Sequence, residues 1–199
     1  VKRRSVLLVA AGPLVLLSAP AQAHLVTTGL GPVYDGVAHF ALSLGDVLCV
    51  LAFALFAGLR GPRHGRWALF LLAAGWLAGG IFALPLPAPV VWGLTAAGLL
   101  LAGGLLAFDA RPPVAATAAL ALGLGLLHGD VNGAGLSDEG VAPLGLLGIA
   151  ATVFVFSASV MALTLPLRAL WSRTAARVAG SWVTAVGLLQ VGWLIHAGG

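Results

Sequence analysis

Val90-Val91-Trp92-Gly93-Leu94-Thr95-Ala96-Ala97-Gly98-Leu99-Leu100-Leu101-Ala102-Gly103-Gly104-Leu105-Leu106-Ala107-Phe108 is the stretch that decides the fold. It holds no ionisable side chain, and a run of this length crosses a hydrocarbon layer of ~30 Å when helical. Outward from it, the same pattern recurs. Apolar runs at 37–59, 67–84, 114–130, 141–165 and 178–197 are separated by turn-forming or charged connectors at 60–66, 85–89, 109–113, 131–140 and 166–177. The expectation is an all-α, polytopic membrane bundle of about six transmembrane helices. Composition agrees: 60% of the residues are apolar and 8% charged, with a mean hydropathy of +1.07. A soluble domain carries roughly a quarter charged residues, so this chain needs lipid as the solvent for its exterior.

The net charge of +4 is distributed as membrane topology requires. Lys2, Arg3 and Arg4 precede the apolar stretch from Ser5 to Ser18, and Ala21-Gln22-Ala23 follows it. Residues 1–23 therefore read as a secretory signal peptide, with 24–199 as the six-helix domain and His24 as the mature N-terminus; an uncleaved first helix is the other reading. Arg60, Arg63 and Arg66 fall in the first connector, Arg111 in the third, and Arg168, Arg173 and Arg177 in the fifth. The second and fourth connectors contain no Lys or Arg. Odd connectors then face the cytoplasm and even ones the outside, giving a bacterial inner-membrane protein with an external mature N-terminus. A basic face with interleaved aromatics, which nucleic acid would need, is absent. Cys49 is the single cysteine, which excludes an intramolecular disulfide and a CxxC motif and suits a small core residue.

Under this topology His24, His39, His128 and His196 lie on the external half, and His64 alone sits in the arginine-rich turn as a solvated loop residue. Asp35, Asp46, Asp130, Asp138 and Glu139 follow the histidines, leaving Asp109 inside. An ionisable side chain within a membrane costs ~2.5–3.5 kcal/mol on insertion scales, so each suggests a function. Asp35 and His39 are spaced i,i+4, and Asp46 follows His39 by seven, so in one helix the three share a face with Ser43. Asp35 also suits a helix cap near Gly36. Asp46, inside an apolar run, requires a partner. The segment His128-Gly129-Asp130-Val131-Asn132-Gly133 reads either as a bend that presents His128 and Asp130 inward or as a helix end leading into a turn. His196 ends the last helix, either as a ligand or as an interfacial residue. His24, after cleavage, pairs an α-amine with an imidazole, a chelate suited to Cu(II) or Ni(II). Gly75 and Gly79 form a GxxxG step, and Gly98, Gly103, Gly104, Gly123, Gly125, Gly145 and Gly148 add small sites for close helix approach.

His24, Asp35, His39, Asp46, His128, Asp130 and His196 are thus the candidate metal ligands. Imidazoles and carboxylates without a thiolate set suit Ni, Co, Zn or Cu(II) rather than Cu(I), and graded weak ligands are what transport needs. At these residues the chain resembles the HupE/UreJ family of bacterial membrane proteins, associated with nickel supply to hydrogenase and urease. In that family's first-helix motif, approximately HPxxGxDH, the leading histidine matches His39. Phe40, Ser43, Gly45 and Asp46 stand where the family has proline, glycine, aspartate and histidine. In the second motif, approximately HGxAHGxE, His128, Gly129 and Gly133 match, while Asn132 and Gly135 replace the second histidine and the glutamate.

The resemblance implies a permease or channel for a divalent transition metal, nickel or cobalt, carried as substrate without a tightly bound organic cofactor. The bilayer and the ion are the expected partners, with a homo-oligomer or a metalloenzyme maturation factor as further ones and no nucleic acid. Two other functions compete: a b-type haem electron carrier using pairs from His39, His128 and His196, and a non-transporting accessory or scaffold protein. No Walker A sequence is present and neither Ser157 nor Ser159 has a nucleophile-elbow context, so the chain is not expected to be an enzyme.

Overall fold

The computed structural model describes residues 28–138, 142–164 and 170–197. The expected signal peptide, His24, Glu139 and Arg168 lie outside the described residues. Among those described there are seven helices and no strand. They are α1 (Pro32–Leu42), α2 (Leu44–Leu59), α3 (Pro62–Ile81), α4 (Ala88–Ala107), α5 (Val114–Asp138), α6 (Ala142–Thr164) and α7 (Leu170–Ala197). Proline opens α1, α3 and α4, where its missing N–H has no helical acceptor to lose.

Four helices, α4 to α7, are long and apolar enough to cross a bilayer, and the bent pair α1 plus α2 makes a fifth span if counted as one. Leu189, Trp182 and Ile195 on α7 stand about three-quarters exposed. A surface of that kind is covered by acyl chains, and the chain is a multi-pass membrane protein.

Three differences from the sequence expectation bear on function. The first expected helix is two helices. Ser43 donates its N–H to His39 and Phe40 carbonyls, ending α1, while its own carbonyl accepts from Val47 and starts α2. The axes differ by 77°. The single face proposed for Asp35, His39 and Asp46 therefore does not exist, because the first two lie on α1 and the third on α2. Second, α5 does not end near Asp130 but stays helical to Asp138. Its glycines are packing sites rather than a turn: a side chain at Gly129 or Gly133 would strike the carbonyl of Trp76 or Gly80 on α3. Third, the last helix begins at Leu170, ahead of the expected 178.

Small residues sort the bundle into pairs. A Cβ on Gly79 of α3 would sit 2.1 Å from the Leu126 carbonyl of α5, one on Gly36 of α1 2.0 Å from the Gly145 carbonyl of α6, and one on Gly103 of α4 2.6 Å from the Thr184 nitrogen of α7. Lipid offers no hydrophobic drive to bring helices together, so this backbone-to-backbone approach supplies the dispersion that does. Helix α2 is the central element and packs on all six others. Its buried face, Cys49, Val50, Ala52, Phe53, Ala54, Phe56 and Ala57, is the middle of the core.

Candidate functional site

Asp46 stands in the first turn of α2, 7% exposed. A carboxylate there must find hydrogen-bond donors or lose the solvation it had in water. It finds two on α5. The Nδ1 of fully buried His128 lies 2.7 Å from Asp46 Oδ1, and Asn132 Nδ2 donates to Asp46 Oδ2 at 3.0 Å. Asn132 Nδ2 also donates to the His128 carbonyl at 2.7 Å, which ties it to its own helix one turn back. With the amide nitrogen so engaged, Asn132 Oδ1 is the acceptor that faces His39 Nε2 at 2.8 Å. The result is a polar chain, His39–Asn132–Asp46–His128, joining α1, α5 and α2 inside the bundle.

Donor and acceptor roles follow from this order. A carboxylate oxygen accepts, so Nδ1 of His128 is a protonated nitrogen, and in the neutral imidazole the lone pair is then on Nε2. That Nε2 is buried and has no hydrogen-bond partner among the described residues. The imidazole is stacked on Trp76, with centroids 5.3 Å apart and planes 29° apart, and Phe40 meets Trp76 edge-on. An imidazole whose second nitrogen is fixed by a carboxylate is the arrangement that metal-ligating histidines adopt.

The other predicted ligands are placed elsewhere. Asp35 is buried, but its Oδ1 accepts from the N–H and the hydroxyl of Thr28, both at 2.7 Å. It fastens the segment before α1 and does not face Asp46. Asp130, expected to point inward with His128, instead accepts the Leu84 N–H at 2.8 Å and borders a cavity beside the Pro85–Pro87 loop. The reason is angular: two residues along a helix lie on opposite sides, so a buried His128 turns Asp130 outward. His196 is exposed near the end of α7. Among the described residues, no three His, Cys, Asp or Glu side chains come together as a metal cage.

The opposite end of α2 carries a second ionic group. Arg60, its C-cap, has a side chain only 7% exposed and pairs with Asp109 in the α4–α5 connector. Arg111 and Arg173 approach the other oxygen of Asp109, both at 3.6 Å. Partial burial opposes ionisation of Asp109, but the Arg60 hydrogen bond and charge, with those of Arg173 and Arg111, outweigh it and hold its pKa below the ordinary carboxylate value. His64 is also not the solvated loop residue expected: it lies in α3, part-buried, with Nδ1 2.9 Å from the hydroxyl of buried Thr117.

Asn132 is the member of this polar chain that is absent from the candidate ligands read from the sequence. Its spacing of i+4 from His128 on one helix was the available signal. The Arg60–Asp109 pair had none, since the two are separated by 49 positions.

Among protein-family models, the one described as HupE / UreJ protein matches residues 12–190, most of the chain. No curated protein and no solved structure matches it.

Proposed function

The chain belongs to the HupE/UreJ family, and from that premise we propose that it is a permease for a divalent transition-metal ion, nickel or cobalt. The carrying observation is the buried pair of Asp46 and His128, in which the carboxylate orients the imidazole and Nε2 is left without a partner. A cation passing this point gains a nitrogen ligand and a nearby negative charge, yet meets no closed cage from which it could not leave. His39 and Asn132 connect that point to α1, the path's outer wall. Asp35, Asp130, His196 and His24 are outer capture groups in this reading rather than members of the central site.

The proposed orientation puts the Asp46 end outside and the Arg60 end in the cytoplasm of a bacterial inner membrane, following the arginine asymmetry. In the same proposal α3 completes six spans after a cleaved signal. The product of uptake would go to metalloenzyme assembly. A b-type haem on the same histidines fits less well, because Trp76 lies flat on the His128 ring and Gly98 abuts Nε2, leaving no width for a porphyrin.

Uptake of radioactive nickel and cobalt tests the reading in a bacterial strain that lacks its own transporters for both. Accumulation above the empty-vector level, lost in Asp46→Asn and in His128→Gln at equal membrane abundance, is the expected result. Equal accumulation with and without the chain would overturn it.

A further inference from the structure

Away from the Asp46 site, at the arginine-rich end of the bundle, a cavity of about 260 Å³ opens between α3 and α6 beside the end of α2. Gly58, Gly65, Leu69, Ala158, Met161 and Ala162 make its walls apolar, and Arg66 is the charged residue among its described lining. Glycine and alanine at these positions leave unfilled the space that larger side chains would occupy. One turn past Ala158 the helices close up, with the Phe70 and Phe154 rings 5.6 Å apart between centroids. The hollow therefore follows α3 from Pro62 to Leu69, about 10 Å at 1.5 Å per residue. Beside it Trp67 and Leu163 are exposed, as side chains that face acyl chains are.

Charge says what fits there. Arg66 is exposed and has no ion pair or hydrogen bond among the described residues, and neither has Arg63, three positions earlier on the same face. Asp109 is the carboxylate described at this end, and Arg60, Arg111 and Arg173 already share it. A helical side chain leans toward its helix N-terminus, so the Arg66 guanidinium reaches from the hollow toward Pro62 and the membrane surface. We propose that the hollow is a binding site for an anionic phospholipid. One acyl chain fills the space between α3 and α6, and the lipid phosphate accepts from Arg66, whose planar fork suits that group. A zwitterionic lipid would bring its own cation to a surface that already carries excess positive charge, so a net negative head is favoured. The bound chain would do for α3 and α6 what larger side chains do elsewhere, joining them where glycine and alanine leave a gap.

Native mass spectrometry of the purified full chain tests this, with phosphatidylglycerol and phosphatidylcholine of identical acyl chains as the probes. The wild type is expected to retain one phosphatidylglycerol, held more tightly than phosphatidylcholine by roughly fivefold or more, the effect of one basic side chain at a membrane surface. Arg66→Gln is expected to remove most of that preference. Arg111→Gln, at the same end and 73% exposed but outside the lining of the hollow, is expected to keep it. Ala162→Trp fills the hollow from its exposed wall and is expected to weaken both lipids. Thermal unfolding in detergent separates loss of fold from loss of lipid, and phosphatidylglycerol should raise the midpoint of the wild type but not of Ala162→Trp. Equal retention of the two lipids by the wild type would overturn the proposal. So would equal loss of preference in Arg66→Gln and Arg111→Gln, which would assign the effect to general surface charge. Displacement of the lipid by inorganic phosphate alone would overturn the part given to the acyl chain.

Discussion

Helix α2 carries an ionic group at each end, and the two ends are built on opposite plans. Asp46 and Arg60 are separated by about 21 Å along the axis at 1.5 Å per residue. At the Arg60 end, one carboxylate, Asp109, is surrounded by Arg60, Arg111 and Arg173, so its charge is more than cancelled. At the Asp46 end, one carboxylate is surrounded by an imidazole and an amide, which solvate the charge without cancelling it when the imidazole is neutral. The comparison teaches which end is finished. A carboxylate already met by several guanidinium groups has nothing to offer a cation and serves to fasten α2, the α4–α5 connector and α7 together. With the imidazole neutral, the buried carboxylate is still short of one positive charge.

The largest expected effect is at the unfinished end. Asp46→Asn keeps the shape but removes the charge and reverses one hydrogen-bond role, and nickel accumulation should fall at least ~tenfold, with protein abundance unchanged on immunoblots. Normal uptake by that variant would break the comparison. At the other end the same chemical change should act on stability. Asp109→Asn leaves the buried Arg60 guanidinium without its anion and should cost about 1–3 kcal/mol, read as a lower midpoint of thermal unfolding in detergent, with cobalt binding per folded molecule preserved.

The pH dependence of that loss has a definite sign. The pKa of Asp109 is depressed in the folded protein, so its contribution is fully present above the unfolded value of ~3.9. It fades as pH falls through the lower folded value. Unfolding midpoints of wild type and Asp109→Asn should therefore differ at neutral pH and converge below about pH 4; a gap that persists undiminished in acid would assign the effect to packing. The smallest effect belongs to Arg111, 73% exposed and 3.6 Å from Asp109. Arg111→Gln should change stability by under about 0.5 kcal/mol, sharpening the distinction between a buried and a surface partner.

How far the sequence could be read depends on whether a property is local. The uncharged run from Val90 to Phe108 states its environment by itself, and Asp46 in an apolar run states that it needs a partner. The partner's identity is not local: His128 is 82 positions away and Asn132 is 86. The break at Ser43 was hidden because no proline or glycine stands at that position to announce it. Gly129 and Gly133 misled in the other direction. Read by the rules of water-soluble chains they end a helix, but in lipid they keep one straight and close to its neighbour. The placement of Asp130 followed from that misreading, since a continuous helix that buries His128 must turn Asp130 away.

The 77° break at Ser43 has an electrostatic consequence. In an unbroken helix Asp46 would project from the middle of a span, beside peptide groups whose dipoles are already spent on one another. The break makes it a first-turn residue of a new helix, next to the positive end of that helix's macrodipole and to amide hydrogens that have no helical acceptor. A negative charge in such a place gains about 0.3–1 kcal/mol, and up to ~2 kcal/mol when partly buried. The kink thus lets the backbone itself help hold an anion inside the membrane, without the addition of a lysine or arginine.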